Sequence, residues 1–132
     1  MSQTDPTADV VAYWFEKAEA ALASARAEHA AGRADFAVNR AYYAAFYAAK
    51  AAMLKAGKRF TKHSAMRAAV HRDLVKAGML PAEWGQAFDR LVENRQRADY
   101  VDLAYVEAEQ VESRIADATG FVAEMRRIAA GS

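Results

Sequence analysis

Arg95 stands where a helix would place an apolar residue. Trp84, Phe88 and Leu91 recur at spacings of four and three, and Arg95 takes the next position on that stripe. Arg40 does the same on an earlier segment, between Phe36 and Tyr43, with Tyr47 further along. A guanidinium is costly to bury unless it is paired and hydrogen-bonded. Asp99 lies one helical turn beyond Arg95 and within its reach. It also lies near the expected end of that helix, where the dipole disfavours an anion and a cationic partner helps. Two chemistries fit these residues. In one, Arg95 and Asp99 form a buried clamp that fixes how the helix ends. In the other, Arg40 and Arg95 line a polar cleft and offer their planar forks to a phosphate.

Other side chains bear on the same choice. Tyr42, Tyr43, Tyr47 and Tyr100 can stack on bases, although tyrosine at helical spacing is more often core with a satisfied hydroxyl. His63 precedes Ser64 at an expected helix start. Capping is the favoured role there, and titration beside a phosphate is the alternative. His71 lies two turns on, and neither histidine has the i, i+4 partner of a helical metal site. No GxGxxG or GxxxxGK[ST] loop occurs, and no Ser/His/Asp set can be placed.

The elements that must position these residues read as helices. Hydrophobic residues make up 54% of the 132, with two prolines, six glycines and abundant alanine. No alternating Val/Ile/Thr run suggests a strand. A first helix is expected from Asp5-Pro6 to Gly32, on a stripe of Val11, Trp14, Ala18, Ala21 and Ala25. A second runs from an N-cap at Asp35 to Gly57. It is apolar nearly all round, and an alanine side allows close approach of a neighbour, so it is placed at the centre. A third runs from Ser64 to Gly78, with Met66, Val70, Leu74 and Ala77 inward; a fourth starts at Pro81. A fifth spans about Tyr105 to Ala129, with Ala104, Ala108, Val111, Ile115, Ala118, Val122 and Met125 inward. The expected architecture is all-α: one antiparallel up-and-down bundle of about five helices over residues 8–129, with flexible ends at 1–7 and 130–132.

Composition narrows the setting. Without cysteine there are no disulfides, thiolate nucleophiles or Cys-based zinc sites, as suits a cytoplasmic protein. No apolar run is long enough to span a membrane, and the start lacks the features of a signal peptide. Net charge is only +1 but uneven. The charged residues from Lys50 to Lys76 are Lys or Arg except for Asp73, and those from Asp99 to Glu124 are Asp or Glu except for Arg114. Such asymmetry marks nucleic-acid surfaces or self-association in some proteins, and solvated helix faces more commonly.

Three segments in order, "NRAYYAAFYAAKAAMLKAGK" (Asn39 to Lys58), "KHSAMRAAVHRDLVKAGML" (Lys62 to Leu80) and "NRQRADYVDLAY" (Asn94 to Tyr105), resemble the HEPN domain family, whose acronym stands for higher eukaryotes and prokaryotes nucleotide-binding. The resemblance covers roughly Ala8 to Met125. It implies an antiparallel helical bundle, commonly a homodimer. Many members are encoded beside a minimal nucleotidyltransferase as toxin–antitoxin-like pairs. Many others are metal-independent ribonucleases bearing an arginine, four to six residues, then a histidine. Arg95 matches that arginine, but the positions for the histidine hold Tyr100, Val101 and Asp102. Cleavage through a 2′-hydroxyl needs groups that titrate near neutrality, and tyrosine, with a pKa of about 10, does not.

The leading expectation is therefore a protein without cofactor or metal that binds a nucleotide or RNA phosphate and partners a minimal nucleotidyltransferase. The ligand-binding candidates are Arg40, Tyr43, His63, Arg95, Asp99 and Tyr100. Arg40 and Arg95 would hold phosphate, Asp99 would orient Arg95, and the tyrosines would stack. A second expectation is a ribonuclease toxin with a rearranged site, in which Arg95, Tyr100 and His63 are the catalytic candidates. A third is an interaction module in which the arginines only order the bundle.

Overall fold

Three sharp stops set the helix lengths. Gly32, Gly57 and Gly78 have φ of 79°, 84° and 80°. After the second of them Lys58 N–H donates to the Met53 carbonyl at 2.8 Å, and Gly57 N–H donates to the Leu54 carbonyl at 2.9 Å. The same paired closure recurs at Gly32 and Arg33 and at Gly78 and Met79. It satisfies carbonyls that a helix end leaves open, and the left-handed residue it requires is one that glycine adopts without strain.

The structure is a computed structural model that describes residues 6–60, 62–100 and 107–131, the side chains of Pro6, Asp99 and Tyr100 excepted. Its elements are α1 (Pro6–Ala30), α2 (Ala34–Lys55), α3 (His63–Ala69) continued by a π-helical segment (Val70–Val75), α4 (Ala82–Tyr100) and α5 (Ala108–Gly131). Cross-helix contacts give the directions. Glu19 meets Arg126, Arg26 meets Thr119 and His29 meets Glu112, so α1 and α5 are antiparallel. Phe88 stacks on Phe121, Arg90 pairs with Asp117 and Asn94 meets Arg114, so α4 and α5 are antiparallel too. With the short α1–α2 turn, the result is an all-helical up-and-down bundle; α3 and its continuation lead from α2 to α4.

α2 is the axis of this bundle and packs against α1, α4 and α5. Ala37, Ala41, Ala44, Ala45, Ala48, Ala49, Ala51 and Ala52 are all buried along it. Small side chains let neighbouring backbones come close, and Ala18, Ala21, Ala25 and Ala118 return the favour from α1 and α5. Larger groups, among them Phe88, Phe121, Met53 and Met125, fill the remaining space.

Some sequence expectations need correction. α2 starts one residue before Asp35, so that aspartate lies in the first turn and Arg33 holds the cap position without a side-chain cap bond. Phe36 is 57% exposed, so α2 is not covered all round. The third helix is not α throughout: Lys76 N–H donates to the His71 carbonyl, five residues back. The extra residue per turn rotates the positions beyond it, and Ala77 faces solvent while Leu80 turns inward. Ala108 is exposed at the start of α5; Ala104 and Tyr105 lie outside the described residues. Helix also reaches into both segments expected as flexible ends, at Pro6 and Thr7 and at Ala130 and Gly131; residues 1–5 and 132 lie outside the described residues.

Two glycines sit inside helices and are explained by neighbours. A Cβ on Gly85 would meet Val75 at 2.9 Å and His71 at 3.0 Å. A Cβ on Gly120 would stand 2.1 Å from the Trp84 ring. Helix propensity alone makes Gly120→Ala stabilising by about 1 kcal/mol. The Trp84 clash predicts the opposite sign, a loss of about 1–3 kcal/mol in urea unfolding. A stabilised variant would show that Trp84 does not seat on α5 in this way.

Candidate functional site

The site is built on the tyrosine edge of α2. Tyr42 is 1% exposed and packs near Phe46 and Phe88, with ring centroids 6.0 and 6.2 Å away. A buried phenol needs a hydrogen-bond partner. Its hydroxyl meets Nδ1 of His63, the first residue of α3. Burial pushes the Tyr42 pKa well above the ordinary phenol value; the Arg95 charge pulls it down by less, and Tyr43 adds to the rise. The hydroxyl therefore keeps its proton and donates to Nδ1. With Nδ1 accepting, the ring proton of His63 resides on Nε2.

His63 is held by stacking as well. Its ring lies 4.3 Å from Phe46 at 20° and meets Tyr43 edge-on at 5.6 Å. Burial lowers its pKa below the usual 6.5, and the charges of Arg95 and then Lys50 lower it further. At neutral pH it is an uncharged donor through Nε2–H.

Arg95 reaches the same place from α4. Its guanidinium carbon is 5.1 Å from the Tyr42 ring centre and 5.7 Å from that of Tyr43. Each such contact contributes about 0.5–2 kcal/mol, depending on how far it is desolvated. Arg95 and His63 are both half-buried, so the cation is fixed on a ring platform and still open to solvent. A planar cation, an imidazole N–H and tyrosine rings together can hold a phosphate and stack a base.

The structure thus joins Tyr43, His63 and Arg95. Arg40 is exposed, and its charge registers at Glu28 beside the α1–α2 turn, where Arg33 dominates; it takes no part in the ring contacts above. The side chains of Asp99 and Tyr100 lie outside the described residues, and with them the clamp expected between Arg95 and Asp99. The capping role expected of His63 is not seen: Lys62 holds the cap position without a side-chain bond, and the His63 ring is turned to Tyr42. His71 belongs elsewhere, donating through Nε2 to Asp89 at 2.9 Å beside Arg67, which meets the same oxygen at 2.9 Å. Among the described residues no three His, Cys, Asp or Glu gather as a metal site would require.

Sequence reasoning named Tyr42 only as one of several rings able to stack on bases, left it out of the ligand-binding candidates, and missed Phe46 and Lys50 as parts of this site. The legible signal was that a tyrosine on a buried helix needs a polar partner, and a histidine comes shortly after that helix ends.

The lowered His63 pKa makes stability depend on pH. Between the folded and unfolded pKa values the unfolded chain binds more protons, so stability falls as pH drops through that interval. Wild type should lose more urea resistance than His63→Gln when pH falls from about 7.5 to about 5.5. Parallel losses in the two proteins would contradict the burial of a neutral His63.

Comparison with known proteins identifies the family. The family model described as the HEPN domain matches residues 11–128, which include Tyr42, Tyr43, His63 and Arg95. A UPF0332 protein of Thermotoga maritima is 36% identical over 119 residues, covering 90% of this chain and 90% of that one. Among the described residues no helix is long and apolar enough to cross a membrane. A match over so much of the chain settles the family: this protein belongs to the HEPN domain family, whose functions concern nucleotides and RNA.

Proposed function

We propose that the chain binds a nucleotide or an RNA phosphate at Arg95, as a homodimer, and works with a minimal nucleotidyltransferase in a toxin–antitoxin-like pair. The observation that carries the binding part is the Arg95 guanidinium laid over Tyr42 and Tyr43 beside the His63 ring. In this reading Arg95 takes the phosphate oxygens with its fork. His63 adds a neutral donor at Nε2, and Tyr43 offers a ring edge to the base. Asp99 orients Arg95, and Tyr100 stacks or donates a hydrogen bond. The nucleotidyltransferase partner and the homodimer rest on the family resemblance of the three motifs.

A charge-assisted hydrogen bond contributes about 1.5–3 kcal/mol. Arg95→Ala should therefore weaken binding of a nucleoside monophosphate by about tenfold or more, and Arg95→Lys should recover only part, having lost the fork. Calorimetric titration of the folded variants measures this. Equal affinity in wild type and Arg95→Ala would remove the proposal.

The proximity of His63 to Arg95 also favours a second reading, a metal-independent ribonuclease. Against it, Tyr42 occupies Nδ1, so Nε2 bears the proton and is a donor at rest. A base at Nε2 would first require that proton to leave. Single-stranded RNA should accordingly stay intact during long incubation with the purified protein. Cleavage that disappears in both His63→Gln and Arg95→Ala would establish the ribonuclease instead.

A further inference from the structure

A run of aromatic rings extends from the Arg95 site across α2 and onto α1. Tyr43 lies 5.7 Å from Tyr47, Tyr47 lies 5.5 Å from Trp14, and Trp14 lies 5.2 Å from Tyr13. Tyr13, at the outer end, is 51% exposed. Two lysines lie on this run. Lys17 Nζ is 4.9 Å from the Tyr47 ring centre, 5.2 Å from Trp14 and 5.6 Å from Tyr13. Lys50 Nζ is 4.2 Å from Trp14. Lys50 and Arg95 both lie close enough to the His63 ring for it to feel their charges, and Lys17 shares the Trp14 ring with Lys50.

On this face, among the described residues, positive charge is set against rings and not against carboxylates. Arg33, Arg67, Arg72, Arg90, Arg126 and Arg127 each pair with a carboxylate. Among the described residues neither Lys17 nor Lys50 has a carboxylate within ion-pair distance, although Asp9 and Glu16 are on the same helix as Lys17. Ammonium groups on stacked rings, left without anions, are what a single-stranded nucleic acid uses: ring faces for bases and positive charge for phosphates. From Tyr43 to Lys50 the helix rises roughly 10 Å, enough for the ligand to extend beyond one nucleotide.

We propose that this face, with Tyr13, Trp14, Lys17, Tyr47 and Lys50, is a track for single-stranded nucleic acid that feeds the Arg95 site. The proposal rests on the phosphate-binding reading above and extends its ligand from one nucleotide to a strand. On binding, the flexible lysines swing from the rings to the phosphates, and the ring faces they covered become available to bases. A second copy of the chain fits the face less well. A two-fold interface apposes a patch to itself, which would bring these unneutralised lysines together.

The test compares a nucleoside monophosphate with a labelled oligouridine, using anisotropy and calorimetry on the full chain. Tyr13→Ala and Lys17→Gln are suitable variants, since neither side chain belongs to the Arg95 site and Tyr13 is exposed. The oligomer should bind at least about tenfold tighter than the monophosphate. Tyr13→Ala should weaken oligomer binding by about fivefold or more. Lys17→Gln should lower the salt slope of log K by about 0.7. Neither should change monophosphate affinity. Monophosphate binding without tighter oligomer binding, or oligomer binding indifferent to both variants, would overturn the track and leave the Arg95 site standing. Variants that only dissociate a dimer would assign the face to self-association and overturn it too. Binding of neither ligand would remove both proposals.

Discussion

A guanidinium drawn half out of water needs groups to answer its charge, and a pair of tyrosine rings is among them here. Arg95 lies over Tyr42 and Tyr43. That contact ties the later part of α4 to the middle of α2, the helix around which the bundle is assembled. The ring faces are available because Tyr42 is fixed at both ends, its ring beside Phe46 and Phe88 and its hydroxyl on His63. The same hydroxyl orients the imidazole. Core packing and the candidate site are therefore one structure.

The alanine faces of α2 make this possible. With α1 and α5 close against its small side chains, the helix is held on those sides without large residues. Tyr42, Tyr43 and Phe46 are left for the edge that α3 and α4 approach. Charge obeys the same division. Ion pairs such as Glu19–Arg126 and Arg90–Asp117 stitch the outside of the bundle and are worth little individually, whereas Arg95, Lys50 and Lys17 stand on rings along a single face. Burial and positive charge then act together on His63, keeping it neutral and leaving its Nε2–H as a donor.

Much of the fold was legible because its signals are local. Gly32, Gly57 and Gly78 mark the stops, and the stripes of α1 and α5 mark the buried faces. Where the reading went wrong, the cause was tertiary. The apolar spacing of Met66, Val70 and Leu74 suits an α-helix, and nothing in it reveals the wide turn that sends Ala77 outward. That turn accompanies the seating of His71 and Val75 against Gly85, a contact between segments. Phe36 looks like core by type and spacing, yet no described helix covers it. Arg40 and Arg95 look alike on their stripes, but only Arg95 faces rings. For the site, the oddity of Arg95 was visible from spacing alone. The partnership of His63 with Tyr42 was not, since it joins residues on two helices through an angle that no periodicity encodes.

The central claim is that Arg95, His63 and the tyrosine edge receive a phosphate. The most direct measurement is an NMR pH titration of the His63 ring with and without a saturating nucleoside monophosphate. In the free protein the expected pKa lies below the ordinary histidine value, set by burial and neighbouring cations. A phosphate seated on Arg95 places negative charge beside the ring and should raise that pKa clearly. A His63 titration that is the same with and without the nucleotide would contradict the claim.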